Sequence, residues 1–193
     1  MIRRPLHLAC QLAAALLIAV LALVAPAPAQ AQGVEITRAN LESTEEGYKL
    51  ALGFSFELNR VLEEAINRGV PLYFTTEVEI SRPRWYWFDE RTLTAARTVR
   101  ISYNVLTQQY HASVSGRLQQ SFATLDDALS VVRQPGRWLI AERGALKPGE
   151  VYTVAVRMGL DVTHLPKPFQ VNAINRSDWR FSSDWKYFLF RAE

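Results

Sequence analysis

The sequence predicts a mainly β protein, an antiparallel β-sandwich, and three observations carry that expectation. From Tyr48 to Leu58, large apolar residues (Tyr48, Leu50, Leu52, Phe54, Phe56, Leu58) alternate strictly with small or polar ones. A period of two over that length marks a half-buried antiparallel strand. The same alternation returns at Val70, Leu72, Phe74, Thr76, Val78 and Ile80, and again at Tyr152, Val154, Val156, Met158 and Leu160. Burying one large apolar side chain is worth ~1.5–3 kcal/mol at most, so the Tyr48–Leu58 segment alone supplies a gross drive on the order of 10 kcal/mol.

Ahead of this body lies a leader. Arg3 and Arg4 form a basic start, an apolar run extends from Leu12 to Val24, and Ala29 and Ala31 end a proline-rich stretch of small residues. That order is the layout of a secretory signal peptide, with cleavage expected after Ala31 and export by the general secretory route. An uncleaved anchor is the competing reading. The apolar run is short for a span of about 20 residues and lacks a basic stop-transfer flank, which favours cleavage. Membrane contact enters only if the leader stays in place. A single domain, residues 32–193, is expected to follow, in the periplasm or outside the cell.

Cleavage removes Cys10, the only cysteine, so the exported body is expected to hold no thiol and no disulfide. It is long enough to bury a core without such staples. Charge changes as well. The whole chain is +3, but losing Arg3 and Arg4 takes Lys plus Arg from 22 to 20 against 19 acids, a net of +1. Near-neutrality gives no broad case for polyanion binding, and together with export it argues against nucleic acid as a partner.

The remaining elements follow in order. Val34–Ala39 reads as a strand, and Glu45-Glu46-Gly47 as the turn after it. A short helix at about 59–68 has Asn59 as cap, Val61, Leu62, Ala65 and Ile66 as apolar stripe, and Gly69 as stop. Val99, Ile101, Tyr103 and Val105 form a strand. Thr107-Gln108-Gln109 turns the chain into another, which begins at Tyr110, Ala112 and Val114 and is expected to run toward Phe122. A second helix, about 124–133, starts at Thr124 with Asp126 and Asp127 in its first turn, where they complement the dipole. Pro135-Gly136 closes it, and Arg137–Ala141 reads as a short strand. In the tail, Trp185, Tyr187 and Leu189 alternate with Phe188 and Phe190, which predicts a last strand covered on both faces.

No motif for catalysis emerges. His111 and His164 stand far apart and without metal-ligand spacing, so no metal site is expected. No nucleophile elbow, Walker loop or dinucleotide glycine pattern is present, and no cofactor is expected. Glu63-Glu64 and Asp126-Asp127 are accounted for by helix solubility and dipole placement. One segment stands out: Arg82-Pro83-Arg84-Trp85-Tyr86-Trp87-Phe88-Asp89-Glu90-Arg91. If strand parity continues past Pro83, Trp85 and Trp87 face outward, flanked by Arg84 and Arg91. Such a group stacks on sugars or anchors a protein partner. The alternative is that both tryptophans are buried as core, as large aromatics usually are.

Leu146-Lys147-Pro148-Gly149, followed by Tyr152, resembles the corner of fibronectin type III and immunoglobulin-like sandwiches, where a tyrosine hydroxyl anchors the turn. The resemblance implies an immunoglobulin-like Greek key and no activity. Over the whole exported body, several features together resemble one family. They are the Tyr48–Leu58 strand, Arg84-Trp85-Tyr86-Trp87-Phe88, the Tyr152 corner, Leu165-Pro166-Lys167-Pro168-Phe169-Gln170-Val171, Trp179 and Ser183-Asp184-Trp185. The family is the bacterial domain of unknown function 4390. That resemblance implies an exported Gram-negative protein, supplies no catalytic residue, and points to envelope signalling beside a membrane sensor and its response regulator.

Three functions follow as expectations. The first is a non-catalytic periplasmic binding module for an envelope protein such as a membrane sensor, using Arg84, Trp85, Trp87 and Arg91. The second is glycan binding through the same tryptophans. The third is a carboxylate-based hydrolase with acids brought together from distant positions.

Overall fold

A computed structural model describes residues 33–82, 90–115 and 117–193. The leader, residues 83–89 and Gly116 lie outside the described residues. Residues Gln32–Glu193 constitute one unit.

Among the described residues, nine strands form two antiparallel sheets. The smaller sheet runs β1 (Glu35–Thr44), β2 (Gly47–Ser55), β7 (Arg137–Glu142). The larger runs β6 (Gln120–Phe122), β5 (Gln109–Val114), β4 (Glu90–Asn104), β3 (Leu72–Arg82), β8 (Val151–Leu160), β9 (Lys186–Arg191). The chain crosses between sheets after β2, before β7 and again before β8. Helices α1 (Arg60–Asn67) and α2 (Leu125–Arg133) occupy the first two crossings.

The alternating residues close the core as the pattern requires. Tyr48, Leu50, Leu52 and Phe54 of β2 are buried together with Leu72, Phe74, Val78 and Ile80 of β3 and Tyr152, Val154, Val156 and Met158 of β8. Phe56 and Leu58 continue the buried face beyond the end of β2, and Phe56 meets Phe74 and Phe181 at 6.1 and 5.3 Å. Three strands cannot cover six. Helix α2 makes up the difference, packing Ala128, Leu129 and Val132 against β2 on one side and β4, β5 and β6 on the other.

The two expected helices form, with caps where the sequence places them. Asn59 Oδ1 accepts from the Leu62 amide at 2.9 Å, and Thr124 Oγ1 accepts from the Asp127 amide at 3.1 Å. Glu64 pairs with Arg60 and Arg68, and Asp126 with Arg133, so both acid pairs include helix ion-pair partners.

Four expectations need correction. A third helix, α3 (Lys167–Asn175), follows a 3-10 turn at Val162–His164; it lacks a strong apolar stripe, which is why periodicity misses it. The strand beginning at Tyr110 does not run through to Phe122: it stops at Val114, and β6 folds back to pair Tyr110 with Phe122. Val105 lies in the turn after β4 and is exposed. The last strand is not covered on both faces. It forms a sheet edge, with Phe188 and Phe190 half-buried inward and Tyr187 and Leu189 standing 64% and 72% exposed.

The Tyr152 corner has the expected hydrogen bond: its buried hydroxyl accepts from the Lys147 amide at 2.9 Å. Nearby, the Tyr48 hydroxyl donates to the Leu146 carbonyl at 3.4 Å, and its ring meets Phe190 edge-on at 5.8 Å. One loop is thereby tied to strands of both sheets. Across the open side, Lys186 at the β9 edge donates from Nζ to the Ile36 carbonyl of β1 at 2.7 Å. A charged side chain turned inward also discourages edge-to-edge pairing with another molecule.

Gly47 ends the β1–β2 turn at φ +135°, and a Cβ there would overlap the Ala141 carbonyl oxygen of β7. Gly47→Ala is expected to lose about 2 kcal/mol or more in urea unfolding, combining a disfavoured backbone conformation with a backbone clash. Tyr152→Phe is expected to lose about 1 kcal/mol, a fall of roughly 2–4 °C in thermal midpoint; an unchanged midpoint would refute the corner's energetic role.

Candidate functional site

Along β3, β8 and β9, alternation sends every second residue away from the core. Register lines these outward residues into rows. Arg91 of β4 stands opposite Ser81 of β3, Ser81 opposite Thr153 of β8, and Thr153 opposite Leu189 of β9. The next rows place Glu79 beside Ala155 and Tyr187, and Glu77 beside Arg157. The six-stranded sheet thus presents an outer face that is apolar and aromatic toward β9 and charged toward β3 and β4.

Two contacts organise the charged part. Arg157 reaches Glu77 Oε2 with Nη2 at 2.6 Å and Nε at 3.2 Å, and its guanidinium lies 4.8 Å from the centre of the Trp185 ring. The arginine is held between a carboxylate and an indole face, an arrangement its planar group suits better than lysine would. Arg91 Nη2 lies 3.3 Å from Glu79 Oε2.

Beyond the Arg157 pair, an open groove of about 440 Å³ runs along Thr75, Glu77, Arg157, Asp161, Thr163 and Ser182. At its end, Asp161 Oδ2 meets His164 Nδ1 at 2.9 Å, and its Oδ1 accepts from the Thr163 amide at 3.0 Å. The His164 ring sits 5.2 Å from that of Tyr73. Partial burial by itself would raise the Asp161 carboxyl. Hydrogen bonds from the Thr163 hydroxyl and amide and from His164, with the His164 charge, outweigh that and hold it below the ordinary carboxylate range. Glu77 and Asp161 share this groove, and each is engaged as a hydrogen-bond acceptor.

Of the residues singled out from sequence, Arg91 falls on this face. Arg84, Trp85 and Trp87 lie outside the described residues. His111 meets Ser121 at 3.0 Å, and His164 meets Asp161, so the two histidines belong to separate surroundings. Sequence reasoning passed over Trp185, Arg157 and Tyr187 as site residues. Their signal was present as the outward parity of two strands, but parity does not tell which strand lies at an edge or which neighbour it meets.

The chain matches, over residues 31–188, the family described as a domain of unknown function (DUF4390), and it belongs to that family. Neither a curated protein nor a solved structure matches it. Among the described residues, no helix is long and apolar enough to cross a membrane.

Asp161 has a sign-definite effect on stability. Its folded pKa lies below the unfolded one, so its contribution is fully present above the unfolded value and is lost as pH falls through the folded value. The stability difference between the protein and Asp161→Asn is therefore expected to be largest near neutral pH and to shrink on acidification below about pH 4. Thermal unfolding of both proteins across a pH series checks this; a gap that widens in acid would refute it.

Proposed function

We propose that the protein is a non-catalytic binding module of the bacterial envelope. In this reading it is exported on the leader of residues 1–31, works in the periplasm, and engages another envelope protein, such as the outer region of a membrane sensor. The observation that carries the reading is the outer face of the six-stranded sheet. Tyr187 and Leu189 stand exposed there next to the Arg157–Trp185 stack, with Arg91 on the same face three strands across. Aromatic residues and arginines are enriched where proteins meet, and an exposed apolar group rimmed by charge is a recognition surface in its composition.

An immunoglobulin-like topology fits this role. What supports it is the strand order, in which β2 joins β7 in one sheet while β3 joins β8 in the other, together with the Tyr152 corner. Such sandwiches commonly serve as scaffolds for recognition, although fold alone assigns no partner.

Glycan binding is the second reading. It is favoured by the groove beside Trp185, whose lining mixes the hydroxyls of Thr75, Thr163 and Ser182 with an aromatic wall nearby. A hydrolase is less well supported. Its general acid would need a carboxyl held above the ordinary range, and Asp161 is shifted the other way.

Pull-down from envelope extract is the test, comparing the protein with Tyr187→Ser/Leu189→Ser and Trp85→Ala/Trp87→Ala variants of unchanged thermal stability. Loss of a specific partner in the first pair supports the outer face; identical recovery in both refutes the surface. Tryptophan fluorescence titrated with envelope polysaccharide fragments separates the glycan reading, for which a flat titration is the negative result.

A further inference from the structure

Apart from the outer face, the arginines are distributed unevenly. Arg60, Arg68, Arg91, Arg133, Arg137, Arg157 and Arg176 each lie within salt-bridge distance of a carboxylate. Arg97 and Arg117, like Arg38, Arg100, Arg143, Arg180 and Arg191, do not, among the described residues, and these two share one concavity. Arg97 sits on the core-facing parity of β4, opposite the buried Thr76 of β3. It emerges where the larger sheet extends past the smaller one and meets α2. Arg117 comes from the connection between β5 and β6, fixed by its own amide donating to the Val114 carbonyl at 2.9 Å.

The two arginines line an open cleft of about 320 Å³ with Gln120, Ser130 and Gln134, and no carboxylate among the described residues lines it. Burial and then the charge of Arg117 lower the Arg97 pKa from the ordinary guanidinium range. Two guanidinium groups thus line one cleft, with neutral hydrogen-bonding side chains around them. Folding derives no gain from that arrangement, because like charges repel and partly buried charge without a partner is unfavourable.

A second groove, of about 550 Å³, adjoins it. Gln134 and Gly136 line both clefts. The second holds Arg38, Arg133 and Arg137 and again no carboxylate in its lining. Arg133 and Arg137 are engaged from outside the groove, by Asp126 at 2.6 Å and Glu42 at 3.5 Å.

We propose that the Arg97–Arg117 cleft is a binding site for a phosphate group, independent of the outer-face surface. A tetrahedral oxyanion offers several acceptor oxygens to two planar forks of donors, which is the pairing arginine makes best. Gln120, Ser130 and Gln134 supply neutral partners, and Arg38 in the adjoining groove adds a further positive charge along any attached body. The same headgroup chemistry is available from a soluble phosphate or from an anionic phospholipid.

Isothermal titration calorimetry with inorganic phosphate and pyrophosphate, and co-sedimentation with phosphatidylglycerol against phosphatidylcholine vesicles, test the proposal on the purified protein. Saturable binding in either arm is expected, and the arm that responds identifies the source. Arg97→Gln and Arg117→Gln are each expected to weaken it about tenfold or more, while Arg100→Gln, on the outward parity of the same strand, leaves it unchanged. Because Arg97 and Arg117 have no carboxylate partner among the described residues to lose, both variants are expected to keep or raise the thermal midpoint without ligand. No binding in either arm overturns the proposal. So does binding that survives in Arg97→Gln, or that falls equally in Arg100→Gln.

Discussion

The structure depends on a mismatch in width between two sheets that share one apolar interface. Three strands face six, and the buried rows of β2, β3 and β8 can seal only the region where both layers are present. Everything outside that overlap must be closed by something else or left open. Helix α2 closes the β4–β6 side, bringing Ala128, Leu129 and Val132 into the core. At the other side Lys186 reaches across to the Ile36 carbonyl, and Phe190 meets Tyr48. An end is capped by Phe181 against Phe56 and Phe74, with Trp179 beside Phe169.

The same mismatch generates the surfaces available for recognition. Because helices are used to complete the inner side of the larger sheet, its outer face near β9 is left with Tyr187 and Leu189 exposed. Because α2 meets the sheet at a seam and not as a continuous layer, Arg97 can lie on core parity and still reach solvent. Charge there is concentrated against the trend of the whole body. A net charge near zero describes the sum of the side chains and says nothing of how they are sorted in space, which is why a cleft lined by two arginines without a carboxylate is compatible with a nearly neutral protein.

Much of the fold was legible in the sequence, for a definite reason. Period-two alternation reports burial on one face of a strand, and the β2, β3 and β8 faces came out as read. Helix caps at Asn59 and Thr124 and the corner tyrosine are local chemistry, set by residues a few positions apart. The misreadings have separate causes. α3 has no strong periodicity to detect; β6 is three residues long; Tyr187 and Leu189 are exposed because no layer among the described residues covers the outer face there. Of the predicted site, Arg91 is placed on the outer face, while Trp185 and Arg157, which meet there, are 28 residues apart and come together only through the pairing of β8 with β9.

Sequence by itself determined the inward rows of β2, β3 and β8, the caps of α1 and α2, the Tyr152 corner, and that packing and not cysteine cross-links holds the body together. Those properties depend on the chemistry of a residue and its near neighbours. Tertiary structure decided which strand lies beside which, and therefore which outward residues form a common surface and which arginines, among the described residues, have no carboxylate beside them. Alternation specifies a face without specifying a neighbour, and charges are paired or unpaired only by distance in space.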